Sequence, residues 1–298
     1  MKILFFVGKG GVGKSTASSL FAMKLANSGK SVILNSIDPA HNLHDIFQIS
    51  LGPKPKSIAS NLSVMETDLD LWAKRYLKET EREFKAIYRY QKAFNLHRYF
   101  NTLKYSPGLE EYAVLLALDD TIQRHSQKDY IIFDTPPTAL TLKFLALPSV
   151  SLLWLKELKD FRQTILHKKE IITRIKAGKR GIERETDPIL TRINTLVERY
   201  EKFSSLLRNT DTTRVFLVLN QDRLSLAESK SIWVEIKNLQ MPVPFIVLNK
   251  CGNDKRFEGT LQKEFPGATI MRIQEQCEEI IGLDALESLP LPMNVEEI

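Results

Sequence analysis

The chain has 298 residues, 43% of them hydrophobic and 26% charged, which is ordinary globular usage and excludes a disordered, collagenous or low-complexity polypeptide. Its net charge of +6 and pI near 9.1 are mildly basic, enough to favour an anionic ligand without marking a nucleic-acid binder. With only Cys251 and Cys277, a disulfide framework and a multi-cysteine metal site within one chain are excluded, and a reducing cytoplasm fits best.

The first apolar run, Ile3–Val7, is too short for a signal-peptide core and leads into Gly8 and Lys9, so it reads as a buried strand. Gly8-Lys9-Gly10-Gly11-Val12-Gly13-Lys14-Ser15 then satisfies G-x-x-x-x-G-K-[ST] between a predicted strand and a predicted helix, the context this motif requires. Glycines let the loop's N–H groups converge on a β-phosphate, and the helix that follows directs its positive end at the same charge. Lys14 is expected to reach the β and γ oxygens of ATP, Ser15 to ligate Mg²⁺, and Thr16 to bond the α-phosphate. In the helix, Ser18, Phe21, Ala22, Leu25 and Ala26 share one face, and Gly29 stops it. The strand Val32–Ile37 completes a βαβ unit and ends at Asp38.

Further strands are predicted at Leu62–Met65, Tyr130–Phe133, Val215–Leu219, Phe245–Leu248 and Thr269–Ile273, giving an α/β, doubly wound, mostly parallel sheet. Asp134 ends the run Tyr130–Phe133, so with Asp38 two carboxylates face the nucleotide. Asp134 is expected to hold Mg²⁺ through a water, with a helix N-cap as the alternative role, and Asp38 is left to orient the attacking water.

Residues 70–127 and 149–213 carry helical patterns without strand signals and read as a helical subdomain inserted into one P-loop domain. Its nucleotide-binding core is then about 1–69, 128–148 and 214–298. The apolar run Phe144–Leu155 is interrupted by Pro148, so no membrane span is expected. Trp154, Leu158, Phe161, Ile165, Ile172 and Ile175 keep a heptad spacing broken once by Lys168, and Ile189, Ile193, Leu196, Tyr200, Phe203 and Leu207 keep one unbroken. Both predict the seam of an antiparallel helical hairpin with a mobile tip from Ala177 to Asp187. Tyr112, Val114, Leu115, Leu116, Leu145, Leu147, Leu152 and Leu155 either line an apolar groove or form the insertion's own core. His41 and His44 lack a third ligand nearby and read as satisfied or solvent-facing, and Cys251 and Cys277 read as buried small apolar residues, so no structural zinc is expected.

Across nearly its whole length the chain resembles the ATPases that include the arsenite-pump subunit and the guided-entry targeting factor for tail-anchored membrane proteins. The resemblance rests on residues 8–16, on Asp38-Pro39-Ala40-His41-Asn42-Leu43 with Asp45, and on Asp134-Thr135-Pro136-Pro137-Thr138 with Thr141-Leu142. It continues in Leu224-Ser225-Leu226-Ala227-Glu228 and Asn249. It implies a homodimer closing around two ATP molecules, with Lys9 of each subunit reaching the other's phosphates, Asp38 positioning water and Asn42 close by. It also implies that Asn249 reads adenine and that Asp222, a shorter acid than the family's usual Glu, contacts nucleotide. The zinc C-x-x-C pair and methionine-rich groove of the targeting factor are absent, as are the cysteine cluster and second ATPase half of the pump subunit, and Ala139-Leu140 replaces the usual Gly-His. The client expected at the helical subdomain is therefore open: an apolar helix or a membrane-protein subunit, with nucleic acid disfavoured. The alternative is a partition- or cell-division-type ATPase acting as a nucleotide-gated switch on nucleoid or membrane.

Overall fold

Strand β1 (Lys2–Val7) points Ile3, Phe5 and Val7 into one apolar cluster and Leu4 and Phe6 into another, so it is buried on both faces between two helical layers. This computed structural model describes residues 1–40, 42–87, 106, 108–177, 187–252 and 255–290. After β1 the described elements are α1 (Lys14–Asn27), β2 (Val32–Ser36), α2 (Leu43–Phe47), β3 (Lys56–Ala59), β4 (Leu62–Glu66), α3 (Leu69–Ile87), α4 (Leu109–Arg124) and β5 (Tyr130–Asp134). They continue with α5 (Thr138–Ala177), α6 (Pro188–Arg208), β6 (Thr213–Asn220), α7 (Arg223–Asn238), β7 (Phe245–Cys251), α8 (Lys255–Glu264), β8 (Thr269–Gln274) and α9 (Leu283–Ser288).

The eight-stranded sheet has the order β3-β4-β2-β5-β1-β6-β7-β8, and every neighbouring pair is parallel except β3 with β4. This is the doubly wound α/β sheet of the P-loop nucleotide-binding type. The chain leaves β1 toward β2 on one side and leaves β5 toward β6 on the other, so the topological switch lies at the adjacent strands β1 and β5. Aromatic pairs span the strand register there: Phe5 stacks on its partner Phe133 at 5.1 Å between ring centroids, and Phe6 on its partner Phe216 at 4.8 Å. In the same register Phe6 and Ser36 flank Asp134, which brings that carboxylate beside the exit of β1.

All the strands expected from the sequence are present, extended by a residue or more at one end or both, except that β2 stops one residue short, at Ser36. The antiparallel edge strand β3 was missed, because Lys56-Ser57-Ile58-Ala59 is half exposed and carries no continuous apolar run. Helix α1 does not present a single apolar face: Ala17, Leu20 and Met23 are buried as fully as Phe21 and Leu25, since α1 packs against the sheet, α2 and α9 together.

A larger departure concerns α5. It runs unbroken through Pro148, so the expected interruption at that residue, and with it the border placed at 148, falls inside one 40-residue helix. Proline removes the bond to the carbonyl four residues back, and burial of Phe144, Leu145 and Pro148 in the core offsets that loss. The stretch Thr138–Ile172 is long and apolar enough to cross a membrane by length and composition, but Phe144, Leu145, Pro148 and Leu155 tie it into the protein core and several of its other residues are half-buried, as in the core helix of a globular domain.

Packing between α5 and α6 follows only half of the expected seam. On α6, Ile193, Tyr200, Phe203 and Leu207 are buried as the spacing predicts. On α5, Trp154 and Phe161 are 67% and 65% exposed, and Leu158, Ile165 and Ile172 are exposed as well. Leu155 and Leu166 are buried instead, one residue and hence about 100° around the helix from Trp154 and Ile165. Anchors off the heptad set this rotation: Phe144 and Leu145 enter the core, and Arg162 donates from Nη2 to Asp187 Oδ2 at 2.6 Å. The side chain of Ile175 and the tip between the helices at 178–186 lie outside the described residues. Of the two roles open for the inner apolar set, Val114, Leu115, Leu145 and Leu155 belong to the core, with Tyr112, Leu147 and Leu152 packed against it.

Candidate nucleotide site

Backbone geometry accounts for the phosphate loop's glycines. At Gly8 a Cβ would lie 2.3 Å from the carbonyl oxygen of Val218, and at Gly13, where φ is +87°, 2.2 Å from Asn249 Nδ2. The loop therefore sits flush on β6 and β7, and α1 starts at Lys14 with its free N–H groups facing a cavity of about 680 Å³. Gly10, Gly11, Gly13, Lys14, Ser15 and Thr16 line that cavity, joined by Asp38 and Asn42 from the turn after β2 and by Asn249 from β7. A cavity of this size and lining accommodates a nucleoside triphosphate with its phosphates on the helix terminus.

Asp134 lies behind the loop and is fully buried. Ser15 Oγ donates to its Oδ2 at 2.7 Å and Ser36 Oγ to the same oxygen at 3.2 Å, while Oδ1 has no hydrogen-bond partner among the described residues. Burial pushes the Asp134 carboxyl up to about 7, against the bond from Ser15 and the charge of Lys14. A desolvated carboxylate with one orphaned oxygen, bonded to a hydroxyl at the cavity wall, is the hard-oxygen donor set that suits Mg²⁺.

Asp38 is buried at the cavity edge, where its Oδ1 accepts from Ala40 N at 3.0 Å and its own N–H donates to Ser36 Oγ at 3.3 Å. Ser36 thus links the Asp38 turn to Asp134, and through Ser15 to the phosphate loop. Lys14 Nζ donates to the Lys9 carbonyl at 3.2 Å; burial lowers its pKa, and Asp134, Asp38 and Glu228 oppose that effect.

The remaining predicted residues are placed as follows. Asn249 Nδ2 donates to Val12 O at 2.8 Å, so it braces the loop as well as facing the cavity. The bulge between Leu248 and Cys251, with Lys250 at φ +48°, re-aims the strand end at this point. Lys9 is half-buried and, with Gly8, Val12 and Asp222, does not line the cavity. Asp222 caps α7, its Oδ1 accepting from Ser225 N at 2.8 Å. His44 bonds through Nδ1 to Ile49 O at 2.7 Å, while His41 lies outside the described residues. Cys251 is buried as expected, but Cys277 is exposed and lines the cavity. Its segment, Gln274 to Ile281, forms a whole wall that sequence reasoning missed, because no motif marks it. Ser36, Lys250 and Glu228 were also given no role; the signal available for Ser36 was its place two residues before Asp38 at a strand end.

The family model for anion-transporting ATPases matches residues 1–293. The chain is 32% identical over 304 residues to "Putative arsenical pump-driving ATPase 2" of Aquifex aeolicus (strain VF5), covering 96% of this chain and 97% of that one. It is 28% identical over 309 residues to "ATPase ASNA1 homolog" of Entamoeba dispar (strain ATCC PRA-260 / SAW760), covering 96% and 91%. With a phosphate loop, a buried acid behind it and a second acid at the cavity edge all in place, the chain belongs to the anion-transporting ATPase family and is an ATP-hydrolysing enzyme.

Proposed function

We propose that this ATPase works as a Mg²⁺-dependent homodimeric switch in the cytoplasm, in which hydrolysis resets a client-binding surface on the helical subdomain. The observation that most supports the reading is the continuity of α5, which begins at Thr138, four residues after Asp134, and carries its exposed apolar stripe from Trp154 to Ile172 on the same rod. A change at the phosphate end has a direct mechanical route to that stripe. An apolar stripe of heptad spacing suits a helix as its client, and this favours a carrier over a partition-type switch on nucleic acid. The relatives named for an arsenical pump suggest a membrane-protein partner as the second form of client.

In this reading Ser15 and Asp134 hold Mg²⁺, which when bound supplies positive charge to the phosphate oxygens. Lys14 and the N–H groups of residues 10–16 bind the phosphates, Asp38 orients the attacking water, and Asn42 and Asn249 belong to the nucleotide's surroundings, while Asp222, engaged in capping α7, stands outside the cavity. Lys9 acts across the dimer: the phosphates are already served by Lys14 from within the subunit, and the Lys9 side chain is not part of the cavity lining. The test is a mixing experiment. Lys9→Ala should bind ATP yet fail to dimerise with it, and mixing with Asp38→Asn should restore turnover, since the mixed dimer holds one site with its own Asp38 and the partner's lysine. No recovery in mixtures shown by sedimentation to contain heterodimer would refute the trans-acting lysine.

A further inference from the structure

Glu228 stands on α7, outside the phosphate loop and both acid-bearing turns, yet it meets the turn that follows Asp134. Its Oε1 accepts a hydrogen bond from Thr138 Oγ1 at 2.7 Å, which ties the first residue of α5 to α7. The turn that ends at Thr138 is held at other points too: Thr135 Oγ1 donates to Phe6 O at 2.7 Å, Thr141 Oγ1 donates to Pro136 O at 2.7 Å, and Pro137 Cγ stands 4.0 Å from where a Gly10 Cβ would be. These contacts fix the turn to β1 and to α5 itself, and set it over the phosphate loop. The Thr138 bond fixes it to the neighbouring helix.

We infer that Glu228 is a positioning residue for hydrolysis, holding the turn at 134–138 over the phosphate loop through the bond its carboxylate oxygen accepts from Thr138. The hold needs an acceptor oxygen on α7 and a hydroxyl donor at the start of α5. This goes beyond the proposed dimeric switch and depends only on the chain being an ATPase.

Substitutions test the hold, with titration of ADP binding by calorimetry as the readout besides turnover. Thr138→Val removes the donor and keeps the shape; it should bind ADP within about twofold of the parent while kcat falls about five- to tenfold, the split expected for an interaction that matters to the transition state rather than to binding. Thr138→Ser restores the hydroxyl and should restore kcat. Glu228→Ala removes the acceptor and should lower kcat about five- to tenfold as well; Glu228→Gln, which keeps an acceptor oxygen, should recover part of that loss, and the double variant Thr138→Val with Glu228→Ala should be no slower than either single variant. Parent-like turnover in Thr138→Val overturns the inference, as does equal slowing in Thr138→Val and Thr138→Ser. So does loss of ADP binding in Thr138→Val, which would make the contact merely structural, or a double variant whose slowing is the product of the two single effects.

Discussion

Replacing Gly13 by alanine would place a methyl group 2.2 Å from Asn249 Nδ2, in a backbone conformation with φ at +87°. The left-handed conformation alone costs an L-residue about 1–2 kcal/mol. Relief of the clash then requires the Asn249 amide to swing away from Val12 O, to which it donates at 2.8 Å, and a buried carbonyl left without its partner costs about 1–3 kcal/mol more. The expected destabilisation is therefore about 2–5 kcal/mol. Gly11 provides the control, because its φ is +79° and nothing lies within 4 Å of an added Cβ. Gly11→Ala should show only the backbone cost, about 1–2 kcal/mol. Urea unfolding of both variants without nucleotide measures the difference. Combining Gly13→Ala with Asn249→Ala should cost less than the sum of the two, since the second change removes the atom the methyl meets. If Gly11→Ala and Gly13→Ala unfold at the same urea concentration, or if the double variant is additive, the brace between Asn249 and the phosphate loop does not constrain the loop as argued.

Asp38→Asn keeps the oxygen that accepts from Ala40 N, so the turn should survive and ATP should bind near normally, while kcat falls about 10²-fold or more; a stopped-flow binding and turnover comparison checks this. Asp187 caps α6 through Leu190 N and pairs with Arg162, and Asp187→Ala should destabilise by roughly 2–3 kcal/mol, read from thermal unfolding at neutral pH. The bonds from Arg162 hold the Asp187 carboxyl below its ordinary 3.8, so its contribution is complete above that pH and is lost as pH falls through the lower, folded value. The gap in stability between parent and Asp187→Ala should accordingly close below pH 3.8 and stay constant from pH 5 upward.

The nucleotide site was legible in the sequence wherever function is written into backbone chemistry. Glycines at 8, 11 and 13, a lysine and a hydroxyl at the start of a helix, and acids just past buried strands each carry a local physical reason for being where they are. That reason survives whatever the rest of the chain does. What was missed is of the opposite kind. Glu228 and the wall from Gln274 to Ile281 join the site through strand order and helix packing, and no local motif marks either of them. Asp222 illustrates the same limit from the other side: its local chemistry, an acid ahead of a helix, is spent on capping α7.

Helix α5 makes the distinction sharper, because its sequence contains two faces that could each serve as a seam. Heptad spacing identified the line through Trp154, Leu158, Phe161 and Ile165, and the line through Leu155 and Leu166 is the one that is buried. Spacing gives the period of a contact but not its phase. Phase is set by whatever holds the rod at its ends, here Phe144 and Leu145 in the core and Arg162 on the Asp187 cap. Leaving the more regular and more aromatic of two faces uncovered costs solubility, and roughly 25 cal/mol for each Å² of apolar surface left in water. A face that needed only to be inert would not carry Trp154 and Phe161 at 67% and 65% exposure on the helix that starts at the phosphate site. Since α5 rises about 1.5 Å per residue, Trp154 stands about 24 Å and Ile172 about 51 Å from Thr138 along one axis. A tilt of a few degrees at the turn over the phosphate loop would therefore become a displacement of a few ångströms along the stripe, which is the lever that the proposed switch requires.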